Sequence, residues 1–157
     1  MNPLLVCSKS TRKFLPGYDR VRVVTSAPTK DILKEVGTEE NVVAIGGGAV
    51  IDTAKILSKN PIRCYPTTAA GSSSTSWSVY WDGNKKCSLK RMMPEDVILQ
   101  GMFVEDLPDE VIRDTTYDVV SHCLDSMSSI KATEESVAYC KEALQILRTE
   151  KDNFGLI

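Results

Sequence analysis

A single histidine, His122, stands among 157 residues, so no site that needs two or more histidines can be built from one copy of this chain. Nor is there a C-x-x-C pair. The five cysteines (Cys7, Cys64, Cys87, Cys123 and Cys140) are odd in number and widely scattered. That spacing suggests neither a zinc finger nor a disulfide framework, and it fits a reducing, cytoplasmic setting. Charge of one sign is not in excess: 19 basic and 21 acidic residues leave a net of -2. The balance gives no electrostatic reason for a nucleic-acid or anionic-membrane partner. No apolar run approaches the ~20 residues of a membrane span. The opening residues, MNPLLVCSKSTRKF, lack the basic start and the apolar length of a secretory signal. Internal repeats and low-complexity tracts are absent as well.

What is there reads as a globular chain. A 42% hydrophobic and 25% charged composition supplies enough apolar surface for a core. The length fits one domain, or one domain plus a small piece. Leu4, Leu5 and Val6 suit a short strand, and Pro16-Gly17 punctuates a turn. Val21 to Val24 reads as a strand. Pro28 opens a helix through Ile32, Leu33 and Val36, with Gly37 as its C-cap. Asn41 to Ile45 is a nearly continuous apolar run, as in a strand buried on both faces. Gly46-Gly47-Gly48 ends it, and Ala49 to Ser58 continues as a helix with Val50, Ala54 and Leu57 on one face.

Arg63 to Thr68 is a further extended segment. Trp77 to Trp81 and Lys86 to Leu89 flank Asp82-Gly83, a hairpin signal. Val97-Ile98-Leu99 suits another strand. After Leu107-Pro108 the chain turns helical. Val137, Cys140, Leu144 and Leu147 mark one face of a helix that Thr133 caps, with Glu134 and Glu135 at its positive end. The expected fold class is therefore α/β: a parallel-sheet layer over residues 1–106 and a helical segment over 107–157.

Three features carry chemistry. The strand–triple-glycine–helix turn allows close backbone approach and presents free amides at a helix start, a setting for phosphate or pyrophosphate; a tight turn without a ligand is the equal alternative. It is not a G-x-G-x-x-G fingerprint. Asp52 and Lys55 follow on the first turns of the helix, three residues apart. The loop Pro66 to Ser76 is small and rich in hydroxyls, and it follows a short apolar strand. Parallel α/β sheets bind ligands at the carboxyl ends of their strands. Finally, Asp118 and His122 lie one helical turn apart, with Asp125 three residues further on. That pair suits a divalent metal, but an exposed ion pair worth ~0.3–0.5 kcal/mol has the better odds on spacing alone.

In order and spacing, Val43 to Lys55, Pro66-Thr67-Thr68-Ala69, Leu107-Pro108 and Asp118-x-x-x-His122 resemble the iron-containing (group III) alcohol dehydrogenase family, over roughly residues 28 to 150. Ser78 to Gly83 and Ser129 to Leu147 look most like its phosphonoacetaldehyde reductase branch. The resemblance implies a dehydroquinate synthase-like nucleotide-binding layer. It also implies NAD or NADP as cofactor and a divalent iron or zinc ion in a C-terminal helical domain. Carried over, Gly46, Gly47 and Gly48 face the pyrophosphate and Asp52 and Lys55 match the helix of that motif. Thr67 and Thr68 line the cofactor cleft, and Asp118 and His122 match the first two metal ligands.

The departures shape the functional expectation. Two further family histidines have no counterpart, and the Pro-Thr-Thr loop lacks the family's Ser-Glu. The N-terminal strand–helix unit is abbreviated. Met1 and the edits at both ends suggest a naturally shortened gene. The expectation is an NAD(P)-dependent, metal-assisted alcohol or aldehyde oxidoreductase-like protein with impaired or no independent catalysis. The alternative is a non-catalytic nucleotide-binding or protein-interaction module that keeps the fold. Trp77, Trp81, Met92, Met93 and Phe103 suit either a partner-binding face or the core, the core being their more ordinary use. A homodimer, or a partner chain that completes the site, is the expected assembly.

Overall fold

The computed structural model describes residues 2–69, 71–105 and 107–154, and side chains through residue 149. The chain divides into two compact units, Met1–Asp106 and Leu107–Ile157. In the first unit a five-stranded sheet runs in the order β2-β1-β3-β4-β7. Its strands are β1 (Leu4–Ser8), β2 (Arg20–Val24), β3 (Val42–Gly46), β4 (Arg63–Pro66) and β7 (Asp96–Val97). All four pairings are parallel, with Leu4 opposite both Arg20 and Val42, and Gly46 opposite Pro66. A separate antiparallel hairpin joins β5 (Trp77–Asp82) to β6 (Lys85–Lys90).

The two central strands explain the core. Along β1 and β3 alternate residues point to opposite faces. Leu4, Val6, Val42 and Ala44 pack on one side with Ile32, Val50, Ile51, Ala54, Leu57 and Ile62. Leu5, Cys7, Val43 and Ile45 pack on the other with Phe103, against Phe14, Leu15, Tyr18, Val21 and Tyr65. Phe103 meets Phe14 at 5.0 Å and Tyr65 edge-on at 5.9 Å between ring centroids. Each fully buried Leu or Ile contributes about 1.5–3 kcal/mol of transfer free energy. Of the five apolar residues weighed for a partner face, only Phe103 joins the core; Trp77, Trp81, Met92 and Met93 are exposed.

Four local expectations change. The segment after Pro28 is a six-residue 3-10 helix, Lys30–Glu35, not a full α-helix. The Thr29 amide–carbonyl unit also bridges to Trp81, and the Trp81 N–H donates to the Pro28 carbonyl (2.8 Å), which ties this segment to the hairpin. In the helix after the glycines, α1 (Gly48–Leu57), Val50, Ala54 and Leu57 do pack together in one core, but burial extends beyond that face: every residue from Val50 to Leu57 is buried, because the sheet, the 3-10 helix and the hairpin enclose it. In the hairpin Asp82 remains paired with Lys85, and its carboxylate accepts from Lys30 Nζ at 2.7 Å, so the turn is Gly83-Asn84 and not Asp82-Gly83. The last strand is only Asp96–Val97, although the Ile98 N–H still donates to the Cys64 carbonyl (2.9 Å).

The second unit is a helix pair, α2 (Asp109–Ser128) and α3 (Glu134–Phe154), packed on one another. Thr133 Oγ1 accepts the Ser136 N–H at 3.1 Å while Ser136 Oγ accepts the Thr133 N–H at 2.9 Å, a reciprocal N-terminal cap. Val137, Cys140, Leu144 and Leu147 are half-buried along one face of α3. Among the described residues, no helix is long and apolar enough to cross a membrane.

Candidate nucleotide crevice and the aspartate–histidine pair

The carboxyl ends of β1, β3 and β4 lie side by side, and the sequence-selected loops emerge there. At the end of β3 the chain turns through Gly46 and Gly47 into α1. The Val50 and Ile51 amides both donate to the Gly47 carbonyl, at 3.0 and 3.2 Å. Among the described residues no side chain caps this helix start. A Cβ on Gly46 would lie 2.6 Å from Val50 Cγ2 and 2.8 Å from Val50 Cβ. A Cβ on Gly47 would lie 3.2 Å from Thr68 Oγ1. The glycines therefore let α1 start hard against the strand and let the second loop close over it. Gly47 and Gly48 are half-buried, so their backbone borders the crevice. An uncapped helix N-terminus with such a cradle fits a phosphate group.

The second loop forms the other wall. The Thr67 N–H donates to the Gly46 carbonyl at 3.2 Å, continuing the β3–β4 pairing past Pro66. Thr67 is buried and Thr68 half-buried beside Gly47. Ala70 lies outside the described residues, and a short 3-10 turn at Gly71–Ser74 follows. Sequence spacing did not single out Thr11, which holds the third corner. Its Oγ1 donates to the Ile45 carbonyl at 2.8 Å and accepts the Ser8 N–H at 3.0 Å, pinning the end of β1 to the residue before the glycines.

Asp52 and Lys55 do form a pair, but within the protein. Lys55 Nζ lies 3.4 Å from Asp52 Oδ1, with the two side chains 1% and 8% exposed. The ammonium donates to the Ser72 (2.8 Å) and Thr75 (3.2 Å) carbonyls and to that of Trp77. Burial pushes the Asp52 carboxyl up against the opposing pull of Lys55. The same desolvation pushes the Lys55 ammonium down, opposed by Asp52. Among the described residues Asp52 Oδ1 and Ser78 Oγ have no hydrogen-bond partner.

Asp118 and His122 face each other along α2, with His122 Nε2 3.6 Å from Asp118 Oδ1 and side chains 51% and 71% exposed. Asp125 is exposed on the same helix. Among the described residues no group of three His, Cys, Asp or Glu side chains converges. Structural zinc sites use four protein ligands and catalytic ones three, so this pair does not by itself fit a resident divalent ion.

No family model matches the chain. Maleylacetate reductase 1 of Cupriavidus pinatubonensis is 30% identical over 110 residues, 67% of this chain and 31% of that protein. An iron-containing alcohol dehydrogenase of Thermotoga maritima superimposes with a TM-score of 0.78 at 23% identity, over 98% of this chain and 55% of that one. The Corynebacterium glutamicum iron-containing alcohol dehydrogenase gives 0.81 at 21%, over 98% and 49%. The chain thus spans about half of these dehydrogenases, and its match spans less than a third of the reductase. It belongs to the iron-containing alcohol dehydrogenase family.

Proposed function

We propose that this chain binds NAD or NADP through its pyrophosphate at the start of α1, and that it does not complete a metal centre alone. The observation that carries the reading is the uncapped helix start framed by Gly46, Gly47 and Thr68 at the ends of two parallel strands. Gly47 and Gly48 offer backbone to the phosphates, and Thr67 and Thr68 supply the facing wall. When bound, the nicotinamide supplies a hydride acceptor or donor for a small alcohol or aldehyde. Asp118 and His122 contribute two ligands to an ion that needs others from a second chain. The chain is thus an oxidoreductase-like nucleotide binder whose independent turnover is impaired or absent.

Calorimetric titration with NAD⁺ and NADPH tests this. The expected result is micromolar binding that Gly47→Val abolishes with the circular dichroism spectrum unchanged. No heat with either nucleotide would refute it.

A second reading, a protein-interaction module, draws support from the helix pair, where Tyr117, Leu124, Tyr139 and Ile146 are exposed. Light scattering and the titration together separate the readings: a dimer that Leu124→Glu dissociates and that binds no nucleotide supports the second, and NAD(P) binding supports the first in either assembly state.

A further inference from the structure

We infer that Lys55 is the positioning residue of the nucleotide crevice, holding the hydroxyl-rich wall against the glycine turn without touching the nucleotide. The inference rests on the proposed nucleotide site and assigns to one of its residues a role that local spacing does not reveal.

A lysine ammonium has three protons to donate. Those of Lys55 find the carbonyls of Ser72, Thr75 and Trp77, and Asp52 balances the charge at 3.4 Å. None remains for a phosphate, and a side chain 1% exposed reaches no open crevice.

Two of the acceptors, Ser72 and Thr75, lie in the stretch between the crevice residues Thr67-Thr68 and β5, and the third, Trp77, is the first residue of β5. Among its described residues that stretch holds one short 3-10 turn and no sheet pairing until Trp77. Arg91 fastens the far end. Its Nε donates to the Lys55 carbonyl (3.1 Å), its Nη2 to the Ser58 carbonyl (2.5 Å) and its backbone N–H to the Ser76 carbonyl (2.7 Å). The helix that offers amides to the anion at its start therefore carries, two turns later, the bolt that sets the opposite wall.

The test uses the full chain. Amide hydrogen exchange of Lys55→Met should speed exchange in residues 71–77 about tenfold or more while β1 and β3 keep their protection. NADPH affinity should fall about tenfold, with the same salt sensitivity as wild type, because no phosphate contact is lost. Unchanged protection in 71–77 overturns the inference, and so does a clear loss of salt sensitivity, which would put Lys55 on the phosphate.

A measurement on the wild type stands if Lys55→Met fails to fold. A small amine-acylating reagent should modify the exposed Lys30 and Lys59 and leave Lys55 unmodified with or without NADPH. Acylation of Lys55 in the free protein, blocked by NADPH, overturns the inference. If wild type binds no nucleotide, the proposed function fails, while the exchange and acylation results still decide whether Lys55 holds the loop.

Discussion

Gly46 offers the most direct test of how the crevice is built. Replacing it with alanine places a methyl carbon 2.6 Å from Val50 Cγ2, 2.8 Å from Val50 Cβ and 3.1 Å from Val50 Cγ1. Val50 cannot swing away, since it is β-branched, helical and 4% exposed. Either the first turn of α1 or the end of β3 must shift, and overpacking of this kind costs about 1–3 kcal/mol, on top of the strain of a side chain at the Gly46 φ of 156°, which Val50→Ala does not relieve. Val50→Ala alone removes two buried methyl groups and leaves a cavity, at about 2 kcal/mol. In the double variant the two costs should not add. The vacated Cγ positions accept the new methyl, so the pair should be at least about 1 kcal/mol more stable than the sum of the single changes. The relief is partial, because the Cβ at position 50 remains. Urea unfolding of the four proteins at constant m-value reads the coupling directly. Additive costs within about 0.5 kcal/mol would show that α1 does not start against Gly46 in this way.

The remaining expectations concern ions, thiols and acid. Zn²⁺ or Fe²⁺ should not bind the isolated chain stoichiometrically at micromolar concentration, since Asp118 and His122 gain no third ligand among the described residues; tight 1:1 binding lost in Asp118→Asn would overturn this. Burial pushes the Cys64 thiol up to about 11, so at pH 8 only about one molecule in a thousand carries its thiolate. Under native conditions the half-buried Cys87 and Cys140 should alkylate well before buried Cys64, read by peptide mass mapping. Arg22 holds the Glu35 carboxyl below its ordinary range, chiefly by hydrogen bonding. With a lowered folded value, the stabilisation is complete above the unfolded value near 4.5 and is lost as pH falls below it. The pair is about 40% exposed, so its share stays within about 1 kcal/mol. Glu35→Gln should lower the urea midpoint at pH 7 and not at pH 3, and an equal loss at both pH values would exclude the ion pair as the cause.

Much of the sheet was legible because burial writes itself into composition. The Val42–Ile45 run announced a strand covered on both faces, and its abrupt end at Gly46 announced the turn. Leu4, Leu5 and Val6 announced a strand too. What they could not convey is that it lies between β2 and β3, since strand order is a property of distant pairing. The helix–turn division after Leu107-Pro108 was visible in the spacing of Val137, Cys140, Leu144 and Leu147.

Lys55 shows where local reading stops. Its three acceptors lie 17, 20 and 22 residues away, outside any helical spacing rule. A usable signal was nevertheless present. Val50, Ile51, Ala54, Ile56 and Leu57 spread well beyond one face of α1 and leave only the sector that holds Asp52 and Lys55, and a helix so widely apolar is largely enclosed. Any lysine on it must find partners inside. The segment after Pro28 misled for the opposite reason: it carries a helical pattern, yet only the six residues Lys30–Glu35 form a helical turn before the chain enters β3.

The borders of the sheet have a consequence for how copies of this chain can meet. Among the described residues β2 and β7 are the outer strands. Along β2, Arg20 grips both carboxylate oxygens of Glu39 at 2.9 and 2.7 Å, and Arg22 grips Glu35. The opposite border is two residues long, with Arg63 bridged to Asp96 at 2.8 Å. Charged, clamped or very short margins are poor templates for backbone zippering. At the two margins of this sheet, strand-by-strand stacking of the kind that leads to fibres is therefore disfavoured, and contacts made there would run through side chains.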